Sequence, residues 1–197
     1  MLNRIIPIIL ALTLFSACKS DGMKPVKAPD EPGAGGAMKS ADGTPAAGAP
    51  ADGGSGLAAP DFTVPALDGG TCTLSAHKGK PVLLEFWSMG CGYCRKMIPE
   101  LPKIADALPG LAIVSVHAGP VAQPEQIKAQ FPEKKFPVCL DDGSARKAYQ
   151  NVPPPFRPGG IPHVILIDAQ GQMVKTVVGY REATAMIAEI KASGILQ

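Results

Sequence analysis

The chain has 197 residues and a formal net charge of +2, with 19 Lys and Arg set against 17 Asp and Glu. It has no long Lys/Arg run, so nucleic acid and an acidic membrane surface are not the partners its charge asks for. Its 22 glycines and 21 prolines are many for a compact domain. Many of them crowd between Lys19 and Gly56, and the roughly 140 residues that follow are enough for one sizeable core.

In chain order the first segment is a targeting signal. Arg4 supplies a positive start, and Ile5 to Phe15 is apolar apart from Pro7. That run is too short to cross a bilayer, which takes roughly 20 residues as a helix. Phe15-Ser16-Ala17-Cys18 resembles the lipobox of bacterial lipoproteins, although Leu usually stands where this chain has Phe15. The resemblance implies a signal peptide over residues 1–17 and acylation of Cys18; the alternative is an ordinary secretory signal that contains a cysteine. Each buried methylene of an acyl chain adds about 0.8 kcal/mol to anchoring. By resemblance to enterobacterial sorting, Lys19 in place of Asp favours the outer over the inner membrane. The expected location is the bacterial cell envelope, lipid-anchored and facing the periplasm. Residues 18–56 then form a linker rich in Gly, Ala, Pro, Asp and Ser, without an aromatic residue. It cannot bury enough apolar surface to offset its ordering entropy, and is expected to be a disordered tether. Its r.m.s. reach is on the order of 35 Å.

The folded domain is expected over residues 57–197. Asp61 to Val64 and Thr71 to Leu74 flank Asp68-Gly69-Gly70 and read as a hairpin. Pro81 to Trp87 is an almost unbroken apolar run, as in a central strand covered on both faces. Cys91 to Leu108 carries apolar residues at helical spacing, with Pro99 and Pro102 placing a kink. Leu111 to Val116 reads as a strand, Gln123 to Phe131 as a helix, Val138 to Leu140 as a strand and Ser144 to Tyr149 as a helix. His163 to Ile167 and Met173 to Val178 are strands joined by the turn Asp168-Ala169-Gln170-Gly171, and Glu182 to Ala192 is a closing amphipathic helix. The order β-β-β-α-β-α-β-α-β-β-α predicts an α/β domain with a mixed sheet flanked by helices and an N-terminal hairpin.

The segment that carries chemistry is Leu84-Glu85-Phe86-Trp87-Ser88-Met89-Gly90-Cys91-Gly92-Tyr93-Cys94. A C-x-x-C between a buried strand and a helix places its first cysteine at the helix N-terminus. Unpaired N–H groups and the helix dipole there favour the thiolate. The second cysteine lies one turn on, within reach of a mixed disulfide formed by the first. A lone C-x-x-C is a weak signal; one that follows a strand ending in Phe-Trp and opens a helix is strong.

With these residues the chain resembles the thioredoxin superfamily, and within it the membrane-tethered TlpA/ResA-type thiol–disulfide oxidoreductases. The resemblance covers about Ala59 to Ala192. It rests on Ala59-Pro60-Asp61-Phe62, Gly79 to Trp87, Cys91-Gly92-Tyr93-Cys94-Arg95 with Pro99-Glu100-Leu101, Phe136-Pro137-Val138, Gly160-Ile161-Pro162 and Ile167 to Gly171. It implies a thioredoxin-like fold, with Cys91 as nucleophile and Cys94 as resolving thiol. It implies a cis Pro162 facing them, and a buried Glu85 that relays a proton for Cys94; a solvated Glu85 at a strand edge is the other reading. Trp87, Gly92, Tyr93, Ile161 and Phe156 are the candidates for substrate contact. No cofactor beyond the redox pair and no metal is implied. The partners implied are protein thiols and disulfides, an upstream membrane electron donor, and the membrane itself through the lipid. Three features depart from the family: Gly90 where Trp is usual, Met97 where Glu is frequent, and the stiff insertion Pro153 to Gly159. The insertion is either a rim that touches substrate or a spacer.

Ile161 before the cis-Pro position, as in thioredoxin itself, tilts the reading towards reduction of disulfides. Disulfide oxidation or isomerisation is the same chemistry in other directions. A copper-binding chaperone of this fold, with His163 or His117 joining the thiols, is an alternative of a different class, although such chaperones typically space their cysteines by three residues. A peroxidase usually needs a lone cysteine preceded by Thr, which Ser88-Met89-Gly90 does not supply. Cys72 and Cys139 are either a structural disulfide or two separate buried thiols. His117 ends a central strand, and as a lone histidine it is assigned no part in the mechanism.

Overall fold

The computed structural model describes residues 56–119 and 124–197. The expected signal peptide, Cys18 and all but the last residue of the tether lie outside the described residues. Two short strands, β1 (Thr63–Pro65) and β2 (Thr71–Thr73), pair antiparallel with Val64 opposite Cys72. The central strand β3 (Val82–Trp87) follows, then α1 (Gly92–Met97), a 3-10 turn over Ile98–Glu100 and α2 (Leu101–Ala107). The rest of the domain is β4 (Ala112–Ala118), α3 (Pro124–Gln130), β5 (Val138–Asp141), α4 (Ser144–Gln150), β6 (His163–Ile167), β7 (Met173–Val178) and α5 (Ala183–Ala192). The main sheet has the order β5-β4-β3-β6-β7. Strands β3, β4 and β5 are parallel, whereas β6 and β7 run antiparallel to their neighbours. This is the mixed α/β sheet that the element order predicts, in the thioredoxin-like form that the resemblance implies.

Pro99 and Pro102 break the first helical stretch as expected. Each falls within the first two positions of a new segment, where a missing N–H breaks no helical bond. The break does not loosen the packing. Glu100 at the 3-10 turn accepts the backbone N–H of Ala183 at 2.9 Å and so caps α5 from a different element. Lys175 on β7 pairs with Glu189 on the same helix.

Every residue of β3 is buried, so its two faces feed two cores. Leu83 and Trp87 join Cys94, Met97, Leu101, Ile104, Phe131, Leu166 and Ile190 under α1, α2 and α5. Val82, Leu84 and Phe86 join Phe62, Val64, Leu74, Val116, Tyr149, Phe156 and Ile165 on the other face, under the hairpin and α4. Each such fully buried side chain contributes roughly 1.5–3 kcal/mol of transfer free energy.

The hairpin extends the edge of the sheet. The Leu67 N–H donates to the Val138 carbonyl at 2.8 Å, and Ala66 bridges Cys139. This contact brings Cys72 and Cys139 together as a disulfide with a Cα–Cα distance of 5.6 Å across 67 residues of sequence. Of the two sequence readings the structural disulfide is the one the fold adopts. Closing a loop of that length removes on the order of 4 kcal/mol of unfolded-state entropy. The double variant Cys72→Ala/Cys139→Ala should therefore lose about 2–4 kcal/mol in denaturant titration while keeping its far-UV spectrum. An unchanged midpoint would show that the crosslink does not constrain the unfolded chain.

Candidate active site

The site is assembled where β3 ends. The loop 88–90 leaves the sheet, and Cys91 takes an extended conformation as the N-cap of α1. The Cys94 N–H points at Cys91 Sγ across 3.1 Å, so an amide dipole and the start of a helix both favour negative charge on that sulfur. Cys91 and Cys94 are joined as a disulfide with Cα atoms 5.2 Å apart. The two sulfurs differ in access: Cys91 is partly exposed, while Cys94 is fully buried among Leu83, Trp87 and Met97.

Pro162 is cis, as the resemblance implies. The Ile161 carbonyl oxygen lies 3.5 Å from Cys91 Sγ, so the cis-Pro loop borders the partly exposed cysteine. That loop is anchored from behind, where Gly179 N–H donates to the Pro162 carbonyl at 2.8 Å. A second cis bond, Pro154–Pro155 in the insertion, has no counterpart among the sequence expectations.

Glu85 sits in mid-strand with no exposure at all. Alternation along β3 puts it on the face of Leu83 and Trp87, the face that also packs Cys94. Its Oε2 accepts the Ser115 hydroxyl at 3.2 Å from the partner strand β4, and Oε1 has no partner. Among the described residues it has no cation as partner. Burial therefore pushes its pKa up to about 8, against a smaller opposing effect of the Ser115 hydrogen bond. The reading of Glu85 as a solvated strand-edge residue does not fit this complete burial.

The substrate-contact candidates divide. Tyr93 is 64 % exposed, Ile161 is 38 % exposed, and Gly92 is also open to solvent. Trp87 and Phe156 are corrections. Trp87 is fully buried, edge-on to His117 with ring centres 4.9 Å apart and 5.5 Å from Phe131. Phe156 is only 5 % exposed and lies in the core under α4, because a lone aromatic among exposed prolines gains most by turning inward. The insertion is thus pinned at its centre. Beyond that pin, Pro158, Gly159, Gly160 and Ile161 wall a cleft of about 240 Å³ together with Phe86, Ala118 and Arg146.

Met97, where relatives often carry Glu, is fully buried core. His117 and His163 fall on opposite faces of the sheet, paired in register with Trp87 and Phe86 respectively. No cluster of three potential metal ligands occurs among the described residues. Sequence reasoning missed Ser115, whose signal was a hydroxyl inside the apolar run Ala112 to Val116. It also missed the fastening of the 88–90 loop. The Met89 N–H donates to His117 Nε2 at 3.2 Å, and Arg95 donates to the Met89 carbonyl at 3.1 Å. The Cys91 N–H donates to the Ser88 carbonyl at 3.1 Å.

Comparison with known proteins agrees with this geometry. The AhpC/TSA family matches residues 55–176. The thiol-disulfide oxidoreductase ResA of Bacillus cereus is 30 % identical over 128 residues, which is 63 % of this chain and 69 % of that protein. Among solved structures, the thioredoxin domain of a thiol-disulfide oxidoreductase from Bacteroides vulgatus superposes with a TM-score of 0.54 at 29 % identity. It covers 70 % of this chain and 95 % of that one. The pneumococcal exposed lipoprotein thioredoxin Etrx1 from Streptococcus pneumoniae gives 0.52 at 28 % identity, covering 67 % and 98 %.

The buried acid should be visible in the pH dependence of stability. A carboxyl with a folded pKa near 8 and an ordinary unfolded pKa of 4.5 binds its proton more tightly when folded. Its stabilising contribution is complete below pH 4.5, declines as the pH rises, and is gone above about pH 8. Glu85→Leu should remove that slope and make the variant more stable than the parent at pH 8–9, by several kcal/mol at most. Parallel stability curves for the two proteins between pH 5 and 9 would show that Glu85 is not held protonated.

Proposed function

The chain belongs to the AhpC/TSA family and is a thiol–disulfide oxidoreductase of the thioredoxin-like fold, and from that we propose that it reduces protein disulfides through Cys91 and Cys94 while tethered to a membrane. The observation that carries the reading is the setting of Cys91 Sγ, between the Cys94 amide and the Ile161 carbonyl of the cis-Pro loop.

In the reducing direction the Cys91 thiolate attacks one sulfur of a substrate disulfide. That S–S bond breaks, a mixed disulfide forms, and the first substrate sulfur leaves as a thiolate. Cys94 then gives its proton to Glu85 carboxylate and attacks the Cys91 sulfur, which expels the second substrate thiolate. Two electrons have passed to the substrate and the Cys91–Cys94 disulfide remains. A dithiol donor at the membrane must reduce it again. A carboxyl with pKa near 8 suits both halves of the proton traffic at neutral pH: its minor ionised fraction accepts from Cys94, and its protonated form donates in reverse. Tyr93, Gly92 and Ile161 present the exposed surface against which a substrate peptide would lie, and the Pro158–Ile161 cleft extends it. Oxidation of substrate thiols is the same sequence reversed; Ile161 before the cis-Pro supports reduction.

The tether reading rests on Phe15-Ser16-Ala17-Cys18 and on the linker composition of residues 18–56. The lipoprotein nature of the pneumococcal structural relative lends support. Under this reading Cys18 is acylated and the domain faces the periplasm from the outer membrane.

Reduced protein treated briefly with iodoacetamide should be alkylated at Cys91 well before Cys94. Cys91→Ser should abolish reduction of insulin, and Cys94→Ser should accumulate mixed disulfides that dithiothreitol releases. Preferential labelling of Cys94 would overturn the assignment of roles. Separately, Cys18→Ala should move the full chain from the membrane to the soluble fraction without altering the activity of the domain; a variant that still sediments with membranes would sink the lipid anchor.

A further inference from the structure

The loop that presents the nucleophile has few anchors of its own. Ser88, Met89 and Gly90 belong neither to β3 nor to α1, and Gly90 is exposed, with open space where a side chain would begin. Yet the position of Cys91 decides whether its sulfur can sit 3.1 Å from the Cys94 N–H. Besides the Cys91 N–H bond to the Ser88 carbonyl, what holds the loop is the backbone of Met89, bound at both its N–H and its carbonyl. Its carbonyl receives the exposed Arg95 side chain at 3.1 Å, and its N–H donates to Nε2 of His117 at 3.2 Å.

His117 is suited to that task by its surroundings. It is 2 % exposed, stands in register with Trp87, and meets the indole edge-on at 4.9 Å. These contacts fix the ring. An acceptor Nε2 requires the neutral imidazole with its proton on Nδ1, because imidazolium has only donors. The groups around it preserve neutrality. Burial lowers the imidazole pKa below its usual value. Glu85, one residue pair further along the same sheet face, is held largely protonated and offers no anion to stabilise a charged ring. Register across β5 places apolar Leu140 beside it, and Phe131 also packs against Trp87. The charged Arg95 reaches the carbonyl of the same residue, in the next peptide group.

We infer that His117 is a positioning residue for the redox pair: its neutral Nε2 fastens the Met89 amide, and through it sets the distance between Cys91 and the helix N-terminus that favours the thiolate. The inference rests on the proposed role of Cys91 as nucleophile. It assigns His117 no contact with substrate.

Three measurements on the full domain test it. The first uses wild-type protein: long-range ¹H–¹⁵N correlation should show His117 with Nδ1 protonated and Nε2 bare at pH 7, and the opposite tautomer would overturn the inference. The second follows the pH dependence of Cys91 alkylation in His117→Phe and His117→Gln. Phe keeps the ring against Trp87 but cannot accept a hydrogen bond; Gln places an acceptor oxygen near the site of Nε2. The midpoint should rise by about one pH unit in the Phe variant and return to within a few tenths of wild type in the Gln variant. The third is insulin reduction at pH 7, which should fall about tenfold in the Phe variant and recover in the Gln variant. If both variants share the wild-type midpoint, or Gln is no better than Phe, His117 is only a core residue. The alkylation and tautomer arms need no turnover. A wild-type protein that fails to reduce insulin while passing them would count against the proposed function and leave the positioning role supported.

Discussion

The pairing of β3 with β4 on one side and β6 on the other is the constraint on which the rest of the structure depends. Because both faces of β3 are buried, a slip of one residue would exchange the two sets of side chains between cores of different shape. The observed register puts Glu85 opposite Ser115, Trp87 opposite His117 and Phe86 opposite His163. Two of these pairings have a consequence for the site. The first gives a buried carboxyl its one hydrogen bond, and the second lines up the imidazole that receives the Met89 amide. The end of the strand then fixes where α1 begins.

Three buried side chains of the site carry a cost in stability. Glu85 lies without a cation, and its Oε1, Nε1 of Trp87 and Nδ1 of His117 are all buried without hydrogen-bond partners among the described residues. These three lie on the sheet face that packs Cys94, and the Tyr149 hydroxyl and both ring nitrogens of His163 are likewise buried without partners on the opposite face. The Asp141 carboxylate, by contrast, accepts the backbone N–H groups of Gly143, Ala145 and Arg146 at the start of α4.

Much of this was legible in the chain. The bounds of β6 and β7 match the two runs on either side of the Asp168-Ala169-Gln170-Gly171 turn, and the cis-Pro loop matches the resemblance carried by Gly160-Ile161-Pro162. The apolar run into Trp87 already announced a strand covered on both sides. Taking Trp87 as a substrate contact overlooked that a residue at the end of such a run shares its burial. Phe156 was misplaced for a related reason. Neighbouring prolines fix the backbone but say nothing about which way the one aromatic turns. The Cys72–Cys139 bond and the Met89–His117 hydrogen bond were beyond local reading. They join residues 67 and 28 positions apart, and only sheet order brings those residues together. Ser115 was visible as a hydroxyl in an apolar strand, but its partner was fixed only by the parallel register.

The two disulfides of this domain live in different solvents. Cys91 reaches the surface, whereas Cys72 is 4 % exposed and Cys139 is not exposed at all, behind the hairpin and the edge of the sheet. A thiolate arriving from outside must approach a sulfur along the S–S axis, and the Cys91–Cys94 bond offers such an approach at Cys91 while the other is shielded. The chain can thus open and close one bond many times without unlocking the other. The crosslink behaves as a fixed strut beside a working hinge, insulated from the traffic of electrons by packing alone.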